Sequence, residues 1–333
     1  MRSLKIFLVT FFSIIILSIA ILFGLDFATD GMLSDVIFGD SDEVHTDTNV
    51  VQTVVKPEDK VNKIVATGIT FLDDVEDIIL KHQFETYQEE LHAAMEINED
   101  VKAWLRVPGT NISHPIPINT TRKTQSGEID YNYYLTRRLD GSYAPNYDNE
   151  SVIYCDSRNN LDSKESMNMN TILYGHNWTN IETGGSPLKV ADPKDFMFAQ
   201  LPSFANYDFA CENQFFTLDL DGDQLVFVIF SAMYVDTWQP DNLDGYYYLE
   251  TDPNTDQLAV ILSEARKRSE HIYKVPVNLD DKMICLSTCT TKFGSDPNQR
   301  FVIMARALRD NEDLDDFEKP TPNPQPQKPN VSY

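Results

Sequence analysis

The chain has 333 residues, enough for one large domain with appendages or for two small domains. Its 52 acidic side chains outnumber the 27 basic ones, and the net charge is −25. Because nucleic acids and anionic lipids would repel such a surface, the charge argues against both as partners.

An apolar run covers residues 6–25. A run of about 20 apolar residues can cross a bilayer as a helix. Arg2 and Lys5 precede the run and Asp26 follows it, which places the N-terminus in the cytoplasm. A cleaved signal peptide is the alternative, but the run is long and no A-x-A-like site follows closely. We therefore expect residues 1–25 to form the cytoplasmic start and single transmembrane anchor of a cell-membrane protein whose remainder is extracellular.

Residues 26–67 are acidic and polar, which predicts an extracellular spacer. From residue 69 apolar side chains recur at three- and four-residue steps, which predicts an N-terminal helix. From residue 101 the pattern changes to short β-like segments with turns between them, typical of a barrel or sandwich. The predicted strands cover residues 104–107, 112–118, 131–135, 152–155, 171–174, 215–220, 225–235, 283–288 and 301–307.

Two later segments interrupt or follow the β pattern. The pattern over residues 255–271 predicts an amphipathic helix inserted before the strand that carries Cys285 and Cys289. Residues 311–333 are acidic and then proline-rich, a composition that predicts a disordered tail. A structured domain over residues 68–310 is therefore expected.

The four cysteines are too sparse for a dense disulfide framework. Cys285 and Cys289 would point to one face of a regular strand but lie too far apart to pair. We expect Cys155, Cys211 and Cys285 to be buried thiols, with Cys289 as the exception.

A nucleophilic site can be assembled from three separate segments. Cys289 ends one predicted strand and Arg300 begins the next, so an antiparallel pairing would bring them together. His176 follows the apolar run 172–174, where a strand would pass into a loop. An imidazolium stabilises a thiolate and can protonate an amine leaving group, and a guanidinium can bind a developing oxyanion.

These motifs resemble the sortases, membrane-anchored cysteine transpeptidases of Gram-positive bacteria. The resemblance rests on Leu286-Ser287-Thr288-Cys289, on the arginine that opens the following strand and on Tyr174-Gly175-His176-Asn177. It covers most of the chain, from about residue 98 to residue 308, and the inserted helix and the N-terminal helix make it most like class B. The resemblance implies a mainly β fold: a closed eight-stranded barrel with an N-terminal helix and a helix inserted before the cysteine strand.

The resemblance also implies roles for residues. His176 would be the acid/base, Cys289 the nucleophile and Arg300 the oxyanion donor or substrate clamp. Asn177, Ser287, Thr288 and Tyr248 are the expected substrate-binding residues. No cofactor is expected, and the histidines lack ligand spacing with any cysteine, so a metal site is not predicted.

Several functions remain open on the sequence. The favoured one is cleavage of a sorting signal through a thioester acyl-enzyme, with transfer of the protein to an amine of peptidoglycan precursor. A sortase that transfers to a pilin lysine and a cysteine peptidase that releases product to water are alternatives. A non-catalytic envelope protein that retains the barrel for binding is a fourth. Partners would be proteins bearing C-terminal sorting signals, the amine acceptor and the membrane, but no nucleic acid.

Overall fold

A computed structural model describes residues 81–329 except 82, 147, 180–187, 238–246 and 295–296. The predicted anchor (residues 1–25) and spacer (residues 26–67) lie outside the described residues. Within the described ranges, no helix is long and apolar enough to span a membrane.

The described residues form ten strands. Eight of them make one sheet in the order β2-β1-β5-β6-β9-β8-β4-β3, and β7 pairs with β10 in a small second sheet. The strands are β1 (Val101–Arg106), β2 (Ser113–Pro117), β3 (Tyr154–Cys155), β4 (Asn170–Tyr174), β5 (Phe215–Leu220), β6 (Asp223–Asp236), β7 (His271–Ile272), β8 (Met283–Cys289), β9 (Gln299–Ala307) and β10 (Thr321–Pro322).

The large sheet curls into a nearly closed barrel. Its two edge strands approach where Ile118, just after β2, forms a bridge with Cys155 of β3. Neighbouring strands are antiparallel except β4 and β8, which run parallel. The predicted eight-stranded barrel is therefore confirmed.

The β5–β6 hairpin shows how local sequence builds this sheet. Asp221 and Gly222 form its two-residue turn, and Gly222 has a φ of +76°. Tight hairpin turns need this left-handed conformation, which glycine adopts without steric cost. The strands pair in register from Leu220↔Asp223 to Phe215↔Val228.

Apolar side chains form two main layers, one inside the barrel and one between the sheet and an outer helix. That helix, α3 (Thr255–Arg268), begins with a capping box in which Asn254 and Gln257 satisfy each other's backbone N–H groups. Leu258, Ile261 and Ala265 lie on its buried face. The predicted inserted helix is confirmed, although it ends three residues early because His271 enters β7.

The other helices are α1 (residues 83–97), α2 (Tyr207–Glu212) and the 3-10 helices Tyr133–Thr136, Met197–Ala205, Tyr247–Leu249 and Leu314–Asp316. The predicted strand over residues 131–135 is wrong, because this segment turns into the first of the 3-10 helices. Its aromatic residues suggested a strand, yet Tyr134 alone among Tyr133–Thr136 is buried. A 3-10 turn can bury one side chain in this way while its neighbours stay at the surface.

The tail differs from its expectation. Residues 311–329 pack on the domain instead of being disordered: β10 pairs with β7, and the Asn323 side chain donates to the Ser269 carbonyl at 2.8 Å. The ring of Phe317 meets that of Phe215 edge-on, with centroids 5.7 Å apart. A proline-rich segment cannot build its own core, but it can add to a strand edge that already exists. Amino-acid composition describes the tail alone and carries no information on the strand edge that receives it.

Candidate active site

Cys289 and Arg300 face each other across two strands. β8 and β9 are antiparallel, and the two residues are direct register partners at the end of the ladder. Side chains at directly opposite positions share a face and have Cβ atoms about 5 Å apart. The predicted juxtaposition of thiol and guanidinium is therefore what the strand register produces.

Arg300 is held by its own loop. Its Nη1 donates to the carbonyls of Pro297 at 2.7 Å and Gln299 at 2.8 Å. Within the described residues, Nη2 and Nε have no protein acceptor. The guanidinium is thus fixed at one nitrogen and can offer the others to an incoming oxygen.

His176 reaches the same edge from the parallel strand β4. The Thr288 hydroxyl donates to the Gly175 carbonyl at 2.7 Å, and the Asn177 amide donates to the Cys289 carbonyl at 3.0 Å. These two bonds tie the histidine segment to the cysteine strand on both sides of His176.

Glycine is required immediately before the histidine. A Cβ at Gly175 would lie 2.8 Å from the ring of Phe198 and 3.1 Å from Ile153. A Cβ does not approach another carbon as closely as the ring contact would require, so a larger residue would displace the strand end. The sequence pattern of a glycine preceding His176 therefore has a packing cause.

The imidazole of His176 is positioned on two sides. Its Nε2 lies 2.8 Å from the carbonyl of Leu135, and its ring stacks on Trp178 with centroids 4.1 Å apart. A carbonyl can only accept, so Nε2 carries the proton and Nδ1 is the basic nitrogen of the neutral ring. Burial lowers the pKa of His176 below its ordinary value, partly opposed by the bond to Leu135.

A cleft of about 280 Å³ brings the three candidates together. Cys289 is exposed on its wall, and His176 and Arg300 are half-buried. The rest of the wall includes four tyrosines, Tyr131, Tyr154, Tyr174 and Tyr248. The arrangement offers a solvent-accessible thiol, a nitrogen base and a cation to one bound molecule.

The other three cysteines differ from Cys289. Cys155 and Cys285 are fully buried, and burial raises the pKa of both thiols far above the usual range. Cys211 is partly exposed rather than buried as predicted, and its thiol lies 3.8 Å from the Pro320 carbonyl. All four are free thiols, and Cys289 alone lines the cleft.

The predicted substrate-binding residues occupy different positions. Ser287, Thr288 and Tyr248 line the cleft. The Ser287 hydroxyl and the Tyr248 side chain are hydrogen-bonded. Burial raises the pKa of Tyr248, and this bond and the charge of Arg300 oppose only part of that rise. Asn177 is buried and its amide serves the Cys289 carbonyl, so the structure gives it a role in joining the two segments.

Sequence reasoning missed part of the cleft wall. Asn132 and Leu135 line it from the loop that was expected to be a strand. Asp156 lines it beside β3 and accepts the Tyr174 hydroxyl at 2.9 Å. Burial raises the pKa of Asp156, but the bonds and charge of Arg158 outweigh it and hold the pKa below the usual value. No sequence signal marks Asn132 and Leu135, since their place depends on the 3-10 turn that brings the Leu135 carbonyl to His176. Asp156 directly follows the predicted strand 152–155, but nothing in the sequence indicates its bond to Tyr174.

Comparison with known proteins gives a consistent result. No protein-family model matches the chain. It is 30% identical over 233 residues to sortase B of Listeria monocytogenes, covering 67% of this chain and 78% of that protein. It is 26% identical to sortase B of Staphylococcus aureus, covering 70% and 80%. The crystal structure of Clostridium perfringens sortase B aligns with a TM-score of 0.50 at 25% identity, covering 66% of this chain and 99% of that one. The chain therefore belongs to the sortase family and is a class B cysteine transpeptidase.

Proposed function

We propose that the chain cleaves a sorting signal through a thioester acyl-enzyme and transfers the protein to an amine of peptidoglycan precursor. The observation that carries this proposal is the shared cleft, where an exposed thiol lies among a histidine and an arginine. Cys289 is the nucleophile, His176 the acid/base and Arg300 the oxyanion donor.

In the first half-reaction, the Cys289 sulfur attacks a peptide carbonyl carbon, and its thiol proton passes to Nδ1 of His176. Negative charge develops on the carbonyl oxygen, where the free N–H groups of Arg300 stabilise it. The tetrahedral intermediate collapses to a thioester. The departing amine takes the proton from the His176 imidazolium, so charge and protons balance.

In the second half-reaction, an acceptor amine attacks the thioester carbon. The neutral His176 removes a proton from the attacking amine and returns it to the Cys289 sulfur as the thioester bond breaks. The product is a new amide, and the enzyme regains its starting protonation. Water in place of the amine would give hydrolysis, which is the peptidase alternative.

The proposal extends to location and partners. We propose that residues 1–25 anchor the chain once in the membrane with the N-terminus in the cytoplasm and the catalytic domain outside. Supporting this are the apolar run and the flanking charges. Proteins with C-terminal sorting signals would then reach the cleft as they emerge beside the membrane. Asn177, Ser287, Thr288 and Tyr248 stay predicted substrate-binding residues.

The test uses the full chain with a panel of fluorogenic sorting-signal peptides, with and without amine acceptors. Wild type, Cys289→Ala and Cys211→Ser are compared. We expect amine-dependent ligation product from wild type and from Cys211→Ser, whose serine can keep the bond to Pro320. Cys289→Ala should form none, because no thioester can form.

The outcomes separate the alternatives. Preference for short peptidoglycan-type amines supports wall anchoring, whereas preference for a lysine within a folded pilin supports pilus assembly. Product released only to water, whichever amine is supplied, would reduce the function to a peptidase. Ligation by Cys289→Ala equal to wild type would refute the nucleophile assignment.

A further inference from the structure

A polar cluster with a buried centre lies behind the loop that contacts His176. The Tyr134 hydroxyl donates to Asp100 Oδ2 at 2.5 Å and accepts from the Asn98 amide at 2.9 Å. The guanidinium of Arg122 pairs with the same Asp100 oxygen. We call Asn98, Asp100, Arg122 and Tyr134 the Asp100 cluster.

The tyrosine and the carboxylate at the centre of the cluster are buried and hydrogen-bonded, whereas Arg122 lies at its partly exposed rim. Tyr134 is 1% exposed and Asp100 6% exposed. A carboxylate this deep in protein is costly unless it is paired and hydrogen-bonded, and here a guanidinium and a hydroxyl supply both needs. The Asn98 amide also donates to the Leu139 carbonyl at 2.8 Å, so the cluster holds the loop at two points.

Tyr134 belongs to the cluster, and the residue that follows it in the chain, Leu135, lines the cleft. It lies in the 3-10 helix Tyr133–Thr136, in which the Leu135 N–H donates to the Asn132 carbonyl at 3.0 Å. The next carbonyl along the chain, that of Leu135, accepts Nε2–H of His176 at 2.8 Å. Fixing the Tyr134 side chain in the interior therefore fixes the direction of the carbonyl that the imidazole contacts.

We propose that Tyr134, held by Asp100, is a positioning residue that sets the tautomer and orientation of His176 through the Leu135 carbonyl. The inference rests on the proposed role of His176 as acid/base. Tyr134 does not line the cleft and acts only through its neighbour.

The physical requirement is specific. A neutral imidazole exists as two tautomers, and proton transfer from Cys289 needs the basic nitrogen aimed at the thiol. An acceptor fixed at Nε2 selects the tautomer with a free Nδ1. If that acceptor moves, the ring samples both tautomers and other rotamers, and fewer molecules are poised to react.

The test compares Tyr134→Phe with Tyr133→Phe in the full chain. Both changes remove one hydroxyl and keep the ring, but the Tyr133 hydroxyl makes no hydrogen bond among the described residues. The Tyr134→Phe variant still has Asp100 paired with Arg122 and Asn98 bonded to Leu139, so the fold should persist. Thermal unfolding of each variant checks this.

Two measurements distinguish a role of Tyr134 in positioning His176 from a general contribution to the stability of the fold. Imidazole ¹⁵N NMR of histidine-labelled protein, with His176 assigned by its loss in His176→Ala, should show Nε2–H in wild type and Tyr133→Phe. Tyr134→Phe should show a mixture of tautomers. Its kcat should fall between roughly 10- and 100-fold with little change in KM, the size expected for a misplaced catalytic group.

Several results would overturn the inference. Nδ1–H in the wild type would do so without any variant. A wild-type tautomer in Tyr134→Phe would also do so, whatever its kcat, as would a mixed tautomer with unchanged kcat. Failure of the proposed function is a separate result, recognised by His176→Ala retaining activity, and the tautomer measurement stays readable in that case.

Discussion

Tyr174 is the register partner of Ser287 in the parallel pair β4–β8. Two positions beyond these partners stand His176, just past the end of β4, and Cys289, the last residue of β8, so continuing the register places the two residues side by side. Parallel strands leave a sheet at the same edge, which is why the two groups meet although 113 positions separate Gly175 from Thr288. On the other side, β9 supplies Arg300 directly opposite Cys289.

The first prediction concerns the bond that locks this register. Thr288→Val removes the hydroxyl that donates to Gly175 at 2.7 Å while keeping the side-chain shape. The half-buried Gly175 carbonyl loses its partner, which costs on the order of 1 kcal/mol. We expect a lower urea midpoint and a lower kcat/KM, because the His176 segment is no longer tied to β8. Thr288→Ser keeps the donor and should stay close to wild type. Equal kcat/KM in the valine and serine variants would exclude this role of the bond.

Much of this site could be predicted from the sequence, because Cys289 and Arg300 lie close together in the chain. The run 283–289, the loop after it and Arg300 form a hairpin, in which closeness in sequence becomes closeness in space. His176 is distant, but a strand-like run followed by glycine marked it. Asn132 and Leu135 could not be predicted, because their segment forms a 3-10 turn whose Leu135 carbonyl contacts the distant His176. The place of Asp156 in the wall follows from its bond to Tyr174 of the neighbouring strand.

The second prediction concerns Arg300. Arg300→Gln keeps a hydrogen-bond donor but removes the charge, and we expect kcat to fall about 10²–10³-fold, as for loss of an oxyanion donor. Arg300→Lys keeps the charge without the planar fork and should recover part of that loss. Steady-state kinetics with a sorting-signal peptide measure both.

The matched control for Arg300 is Arg266→Gln, since Arg266 is an exposed arginine on α3 outside the cleft. Its kinetics should match wild type. If Arg300→Gln instead raised KM with kcat unchanged, the arginine would bind substrate and transition state equally and would be a clamp rather than an oxyanion donor.

The third prediction concerns the tail. A stop after Asp313 keeps Glu312, which pairs with buried Arg306, and removes β10, the Asn323 bond and the Phe317–Phe215 contact. Loss of this apolar contact and these hydrogen bonds should lower the free energy of unfolding by on the order of 2 kcal/mol or more. Urea unfolding measures the change. A stop after Pro329 keeps every described tail contact and is the control. If both stops left the urea midpoint where wild type has it, the tail would contribute nothing to stability.

The tail also shows where composition fails as a predictor. Proline content and charge argue correctly that residues 311–333 lack a core of their own. They carry no information on a receptive surface, and β7 with the end of α3 provides one. The Gln327 N–H donates to the Lys267 carbonyl at 2.9 Å, and the Lys328 ammonium pairs with Glu270 at 2.5 Å, so the contacts continue well beyond β10.

The last prediction concerns pH. Burial lowers the pKa of His271 below its ordinary 6.5, although the bond to the Phe204 carbonyl and the charge of Glu270 oppose this. The unfolded chain therefore binds more protons than the folded chain as the pH falls through about 6.5, and the free energy of unfolding decreases with it. His271→Gln keeps a donor for Phe204 but cannot titrate, so its stability should decline less than that of wild type between about pH 7.5 and 5.5. Urea unfolding at several pH values checks this, with His92→Gln as the control, because His92 is more than half exposed (55%). A pH dependence of His271→Gln as steep as that of wild type would show that the buried imidazole does not contribute to acid destabilisation.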